Sequence, residues 1–357
     1  MSRFLDSKYA ALEAYVPGEQ PRDKKYIKLN TNESPFPPCP AVVEAVNGAA
    51  ASDLRLYSDP TSIGVKRAIA DFYGVAPECV FVSNGSDESL NFLFMAFCEN
   101  GAAYADITYG FYQVFADLYG KKTTIVPLED DFTLDPAKLM ATEETLFIAN
   151  PNAPTGIYFT PDVIEQIVTA NPGRLVVVDE AYIDFGGESV VPLTQKYDNL
   201  AVVQTYSKSR QLAGARLGFT VASPAIIDGL EKIKYSTNPY NVNRLTQLCG
   251  VLSMQDRAYF DQTRTAIMEN RAYTVCELKK RGFTMTDSMT NFIFAKSDKI
   301  SGKAYYDGLR ERGVLVRYFG KARISDYVRI TIGSREEMEA LVAATDDILA
   351  GSGKTEA

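Results

Sequence analysis

Seven short apolar runs, rich in β-branched and aromatic residues, alternate with helix-like chain between residues 79 and 223. They lie at 79–83, 102–107, 123–128, 145–150, 174–179, 200–206 and 218–223. A strand covered on both faces reads as a continuous apolar run, and parallel neighbours need a crossover long enough to hold a helix. The pattern therefore predicts an α/β architecture: a mostly parallel central sheet with helices on both faces, binding its ligands outside the carboxyl ends of the strands.

After about residue 240 the pattern changes to a long helix-like stretch rich in Arg, Gln and Glu. Strand-like runs follow at 291–296, 314–319 and 327–332, then a last helix at 336–350. This is the pattern of a smaller α+β unit. Prolines recur from Pro17 to Pro40, as in an extended arm, and residues 351–357 read as a frayed tail. A chain of 357 residues exceeds what one core usually supports. We therefore expect an arm at 1–40, a large domain at 41–240 and a small domain at 241–357.

Composition removes several function classes. With 37 basic against 45 acidic residues the net charge is −8 and the pI about 4.9, which argues against nucleic acid or an anionic membrane as partner. The five cysteines show no CxxC spacing, so neither a disulfide framework nor a zinc site is indicated. The first twenty residues mix charges without an apolar run of signal-peptide length, and no segment approaches the apolar length of a membrane span, so a cytoplasmic location is expected. There is no histidine at all, which excludes Ser-His and Cys-His nucleophiles and leaves proton transfer to lysine, carboxylate or tyrosine.

Thr205-Tyr-Ser-Lys-Ser-Arg-Gln-Leu-Ala-Gly-Ala-Arg-Leu-Gly-Phe219 sets Lys208 among small and hydroxylic residues, with Arg216 further on and no acidic residue between. A lysine on a solvated helix face normally sits among other charges, so Lys208 reads as one that condenses with a carbonyl. Upstream, Leu175-Val-Val-Val178 runs straight into Asp179, as a buried strand ending at a functional carboxylate would. Val82-Ser-Asn-Gly-Ser-Asp-Glu88 precedes an apolar-periodic helix at 89–97. Gly85 permits a tight turn, and the amides of Ser86 and Asp87 would offer a phosphate the N-terminus of a helix. A helix cap without any ligand is the plainer reading.

Together Asp179-Glu-Ala-Tyr182, Ser207-Lys208 and Ala213-Gly-Ala-Arg-Leu-Gly218 resemble the fold type I aminotransferases, which use pyridoxal 5'-phosphate (PLP). The resemblance implies that Lys208 holds the cofactor aldehyde and, once displaced, moves the substrate proton. Asp179 would hold the protonated pyridine nitrogen, which makes the ring an electron sink, and Tyr182 would donate to the ring oxygen. Ser86, Asp87, Ser207 and Arg216 would hold the phosphate. Tyr109 would lie over the ring, whereas Phe111 and Tyr112 read as core. The family usually carries an asparagine directly before Pro-Thr-Gly, but this chain has Ala153 there and Asn152 one residue earlier. Either Asn152 reaches the ring oxygen or Tyr182 serves it alone. Tyr57 matches a tyrosine that crosses to the other subunit's cofactor phosphate, which implies a homodimer with shared sites.

On the substrate side, Tyr327-Val-Arg-Ile-Thr-Ile-Gly333 sets Arg329 in a strand among β-branched residues, where a guanidinium needs an anion. Arg317 is a second candidate, with a solvated strand end as its plainer reading. The segments containing Tyr15, Asn30, Pro239-Tyr-Asn-Val-Asn243 and Thr290-Asn-Phe-Ile293 resemble the histidinol-phosphate aminotransferase branch, and the resemblance runs from about residue 10 to 350. It implies amino transfer between L-histidinol phosphate, with its 2-oxo product, and the glutamate/2-oxoglutarate pair, in histidine biosynthesis. Tyr15, Asn30, Arg317 and Arg329 would bind substrate. An aromatic amino acid aminotransferase or a threonine-phosphate decarboxylase would keep every cofactor motif. A PLP-binding regulatory module is the non-enzymatic alternative, disfavoured by the acidic charge and the lack of an appended DNA-binding segment. A nucleotide-binding Rossmann enzyme lacks both of its glycine-rich signatures here.

Overall fold

The computed structural model describes residues 9, 12–13, 15–21, 23–47 and 53–352; most of the expected tail, from residue 353, and parts of the arm lie outside them. The first half contains β1 (Ile27–Lys28), α1 (Pro40–Asn47), α2 (Ile63–Tyr73), β2 (Val80–Ser83), α3 (Ser86–Ala96), β3 (Ala102–Ala105), α4 (Phe111–Tyr119), β4 (Thr123–Val126), α5 (Pro136–Met140), β5 (Thr145–Ala149), α6 (Pro161–Ala170) and β6 (Val176–Asp179). There follow β7 (Leu200–Thr205), β8 (Gly218–Ala222), α7 (Pro224–Thr237), α8 (Arg244–Gln255), α9 (Arg257–Lys280), β9 (Phe283–Met285), β10 (Phe292–Ser297), α10 (Gly302–Glu311), β11 (Val314–Leu315), β12 (Arg317–Tyr318), β13 (Val328–Thr331) and α11 (Arg335–Ser352).

All seven apolar runs form one sheet in the order β2-β8-β7-β6-β5-β3-β4. The sheet is mostly parallel, as expected, with β8 reversed against both β2 and β7. The reversal follows from the connection: residues 206–217 return the chain from β7 to β8 without an α-helix, too little for a parallel crossover. Side chains alternate between the two faces of the sheet. Val176 and Val178 join a core with Ile69 of α2, Ile164 of α6 and Cys249 of α8, while Val177 faces a core built with Leu93 of α3, Phe115 of α4 and Leu230 of α7. Burial on both sides explains why this strand is apolar throughout.

The second sheet is antiparallel, in the order β12-β13-β10-β9. Its core takes Ile267 and Leu278 from α9, Leu309 from α10 and Leu341 from α11. The helix-like stretch after residue 240 is two helices. Asp256 ends α8 and caps α9 by accepting the Tyr259 amide at 3.0 Å, and α8 gives Cys249 and Met254 to the large sheet's core rather than to the second. The arm joins the smaller sheet's side: β1 pairs in parallel with β11, and Leu29 lies in the second core. Phe185, from the loop after β6, is inserted there too, so the strand carrying Asp179 is anchored to both cores. Among the described residues no helix is long and apolar enough to cross a membrane.

Candidate active site

Strands β2, β3, β5, β6 and β7 run in the same direction, so the segments leaving their carboxyl ends meet on one edge of the sheet. Those segments carry Ser86, Tyr109, Asn152, Asp179 with Tyr182, and Lys208.

Asp179 is the last residue of β6, level with Ala149 of β5 and Val203 of β7, and is 5% exposed. Burial pushes its carboxyl up to about 6, and nearby Asp87 adds to the rise. Two donors oppose it: the Tyr112 hydroxyl at 2.9 Å on Oδ2 and the Ala181 amide at 3.2 Å on Oδ1. Around neutral pH this is an anion held by two hydrogen bonds, with lone pairs free for a cationic ring nitrogen.

The glycine turn before α3 has the geometry of an anion cradle. Gly85 occupies the cap position with φ +75° and no side-chain cap bond, and Ser86 begins the helix. The Ser/Asp cap without a ligand is therefore not what forms. A Cβ on Gly85 would run into the Arg216 guanidinium, and one on Gly218 would strike the Ser86 amide, so both glycines are required by close approach. Arg216 has a left-handed backbone, φ +57°, unusual for a residue with a side chain. Its guanidinium lies over the turn and pairs with Asp87 at 3.1 Å. Asp87 also accepts the Tyr109 hydroxyl at 2.8 Å, which fixes that ring beside the cradle. Ser207 is buried, and its Oγ lies 3.0 Å from Thr205 Oγ1. The set suits a planar ligand bearing a phosphate and a basic ring nitrogen: an uncapped helix N-terminus with a guanidinium for the dianion, a buried carboxylate for the nitrogen.

Lys208 is half-buried, donates to the Thr31 carbonyl at 3.2 Å and lies 5.7 Å from the Tyr182 ring centroid. The Tyr182 hydroxyl accepts a 3.0 Å bond from Asn32 Nδ2. Asn152 is spent locally. Its Nδ2 donates to the Ile107 carbonyl at 2.9 Å and Thr155 Oγ1 at 3.0 Å, and its Oδ1 accepts Thr108 Oγ1 at 2.7 Å. Both amide hydrogens are therefore occupied, and of the two residues named for the ring oxygen Tyr182 is the one with a hydroxyl hydrogen still to give.

Arg329, half-buried on β13, has no carboxylate partner among the described residues. One terminal nitrogen donates to the Asn30 carbonyl at 3.0 Å, Nε is enclosed without a partner, and the cation lies over Phe292 and Phe319 at 5.4 and 5.7 Å. Burial pulls its proton affinity down, while Tyr182, Tyr15 and Tyr109 nearby pull it up. A guanidinium with an unsatisfied enclosed donor, facing tyrosines and no acid, is set up for an anionic ligand. Arg317 lies opposite Arg329 in register, but its donors reach the arm carbonyls of Pro17 and Val16 at 3.3 and 3.1 Å. Tyr15 packs its ring 4.3 Å from that of Phe111, and the Asn30 amide holds the Glu19 carbonyl at 2.8 Å. Tyr57 stands apart: it is 78% exposed, stacked on Tyr240 at 4.5 Å, with Leu54 and Leu56 exposed nearby in the chain.

Two residues bonded to this cluster escaped the sequence reading. Tyr112, expected as plain core, donates directly to Asp179; its apolar helical context hid a partner 67 residues away. Asn32 lies inside a segment noted for other reasons, and its φ of +55°, which asparagine tolerates, aims it at Tyr182.

Comparison with known proteins identifies the family. The model of the family aminotransferase class I and II matches residues 24–344. A histidinol-phosphate aminotransferase of Brachyspira hyodysenteriae is 47% identical over 345 residues, covering 96% of this chain and 98% of that protein. One from Clostridium acetobutylicum is 45% identical over 352 residues, covering 98% and 100%. The crystal structure of histidinol-phosphate aminotransferase from Sinorhizobium meliloti, in complex with pyridoxal-5'-phosphate, superposes with a TM-score of 0.88 over 98% of this chain and 99% of that one; at 24% identity it speaks for the fold. The chain belongs to the aminotransferase class I and II family.

Proposed function

We propose that this chain is a PLP-dependent transaminase that passes the amino group between L-histidinol phosphate and 2-oxoglutarate, giving the corresponding 2-oxo phosphate and L-glutamate. The observation that carries the reading is the pairing of Lys208 beside Tyr182 with a buried Asp179 on the neighbouring strand end. PLP, when bound, supplies a carbonyl for the amino group and an aromatic ring that accepts the electron pair left when the substrate Cα–H bond breaks.

Arg216 and the first amides of α3 would hold the phosphate, with a hydroxyl from Ser207, and Tyr109 would lie against the ring. Asp179 keeps the ring nitrogen protonated by presenting a fixed anion in a site with little water. Tyr182 donates to the ring oxygen, in keeping with the local occupation of Asn152. Lys208 would take the proton from the substrate Cα and carry it for its return; with no histidine in the chain, it is the base within reach. Arg329 receives the anionic end of each substrate, the phosphate of one and the distal carboxylate of the other, and Tyr15 and Asn30 border that place. Arg317 acts there through the arm it holds. The names of the relatives at 45 to 47% identity support this choice of donor.

The exposed Leu54, Leu56, Tyr57 and Tyr240 support a homodimer in which Tyr57 reaches the other subunit's phosphate site. Sedimentation of the purified chain as a monomer would remove that part of the reading. The acidic charge and the five free cysteines fit an enzyme of the cytoplasm.

The test is a half-reaction. The PLP-loaded protein is mixed with L-histidinol phosphate, then separately with phenylalanine and threonine phosphate, without any oxo acid, and the cofactor absorbance is followed. Conversion at low histidinol phosphate and only at high phenylalanine is expected. Equal or better conversion by phenylalanine would move the substrate to aromatic amino acids, and carbon dioxide released from threonine phosphate would make the chain a decarboxylase.

A further inference from the structure

We propose that Tyr112 is a positioning residue, fixing the Asp179 carboxylate toward the cofactor ring nitrogen and holding it as an anion. The inference rests on the PLP reading for its purpose, though not for its geometry. Tyr112 is fully buried on α4, with ring neighbours Phe94 at 6.1 Å, Phe147 at 5.7 Å and Tyr109 at 5.7 Å. A phenylalanine would fill that space equally well, so packing does not account for the hydroxyl. The hydroxyl gives its hydrogen to Asp179 Oδ2 at 2.9 Å. The Ala181 amide takes the other oxygen, so the carboxylate is gripped at both ends.

The grip also sets where the proton resides. Burial favours the neutral carboxyl, and each donor to the anion opposes burial. The Tyr112 hydroxyl stays a donor throughout the working range, because burial and then Asp179 itself push its own proton loss well above the ordinary value. Among the described residues, the titratable groups around Asp179 are Asp87 on α3, paired with Arg216; Tyr109 just before α4 and Tyr112 in its first turn; and Tyr182 on its own loop, with Lys208 beyond it. The flanking strands present only Ala149 and Val203 at its level. Among the described residues no cation contacts Asp179, and Tyr112 is the side chain there whose hydrogen bond favours its charge. Without it the carboxyl competes with the ring nitrogen for one proton, and the electron sink weakens.

The test is Tyr112→Phe, which keeps the ring. In the apo-protein, Asp179 is neutral at pH 5 and charged at pH 8, so the loss in Tm against wild type should be at least about twofold larger at pH 8 than at pH 5. In an Asp179→Asn background the same substitution should show no pH-dependent loss. In the loaded protein, PLP should dissociate about tenfold faster from Tyr112→Phe. A Tm loss equal at both pH values overturns the proposal, as does a pH-dependent loss that persists in the Asp179→Asn background, where no carboxylate is left to titrate. A wild-type chain that takes up no PLP would instead overturn the cofactor reading, leaving the apo comparison to decide on the Tyr112–Asp179 bond alone.

Discussion

The Nζ of Lys208 lies 5.7 Å from the centroid of the Tyr182 ring. The two come from different strand ends, and the same tyrosine is bonded through its hydroxyl to Asn32 of the arm, which in turn accepts Thr331 Oγ1 of β13 at 3.0 Å. Tyr182 therefore links the lysine loop to the small sheet, so the geometry at Lys208 depends on both cores being in place.

Lys208→Ala is expected to lower transamination by more than about 10⁴-fold, since it removes both the carbonyl anchor and the base. The side chain makes one hydrogen bond, to a backbone carbonyl, so the fold should survive. Turnover and melting temperature, measured side by side, check both halves.

Asp179→Asn should cost on the order of 10³-fold in rate, several kcal/mol of transition-state stabilisation. It also has a stability signature in the apo-protein. The folded carboxyl sits at about 6, above the ordinary 3.8, so its contribution is complete at pH values below the ordinary one and is lost as pH rises through 6. That loss amounts to about 3 kcal/mol. Asparagine does not titrate, so melting of the apo variant between pH 4 and 8 should be flatter than that of wild type.

Gly85→Ala places a Cβ against the Arg216 guanidinium at a φ of +75°. We expect a stability loss of about 1 to 2 kcal/mol and cofactor binding weaker by about tenfold. Denaturant titration of the apo-protein and equilibrium dialysis against PLP measure the two effects.

Arg329→Lys should behave much like Arg329→Ala, because an ammonium cannot reproduce a bidentate, planar contact. Both should raise KM for histidinol phosphate and for 2-oxoglutarate by about 10²-fold while leaving the bound cofactor's absorbance unchanged. A rise for one substrate alone would show that the two anions do not share the arginine.

The large sheet was legible because each of its central strands is buried on both faces and so is apolar without interruption, Val176 to Val178 being the plainest case. The reversed direction of β8 was not, since strand direction lies in the connection rather than in the strand. The two-residue strand β1 carries no periodicity to read, the single run at 314–319 is divided between β11 and β12 in different sheets, and Asp256 capping α9 was hidden inside a stretch that looked helical throughout. In the site, Lys208, Asp179 and Arg329 stood out because a charged group among apolar or small neighbours demands a reason. Tyr112 did not, since an aromatic residue on an apolar helix face needs none until its hydroxyl is followed to Asp179. Asn152 was noted for its place before Pro-Thr-Gly, and only the structure shows that its amide also bonds within the turn in which it sits.

The most direct measurement is reduction of the PLP-loaded protein with borohydride, followed by proteolysis and mass mapping. The account predicts one pyridoxyl-phosphate adduct, on the peptide containing Lys208, and its disappearance in Lys208→Ala. An adduct on another lysine, or none at all on a protein that has taken up the cofactor, would contradict it.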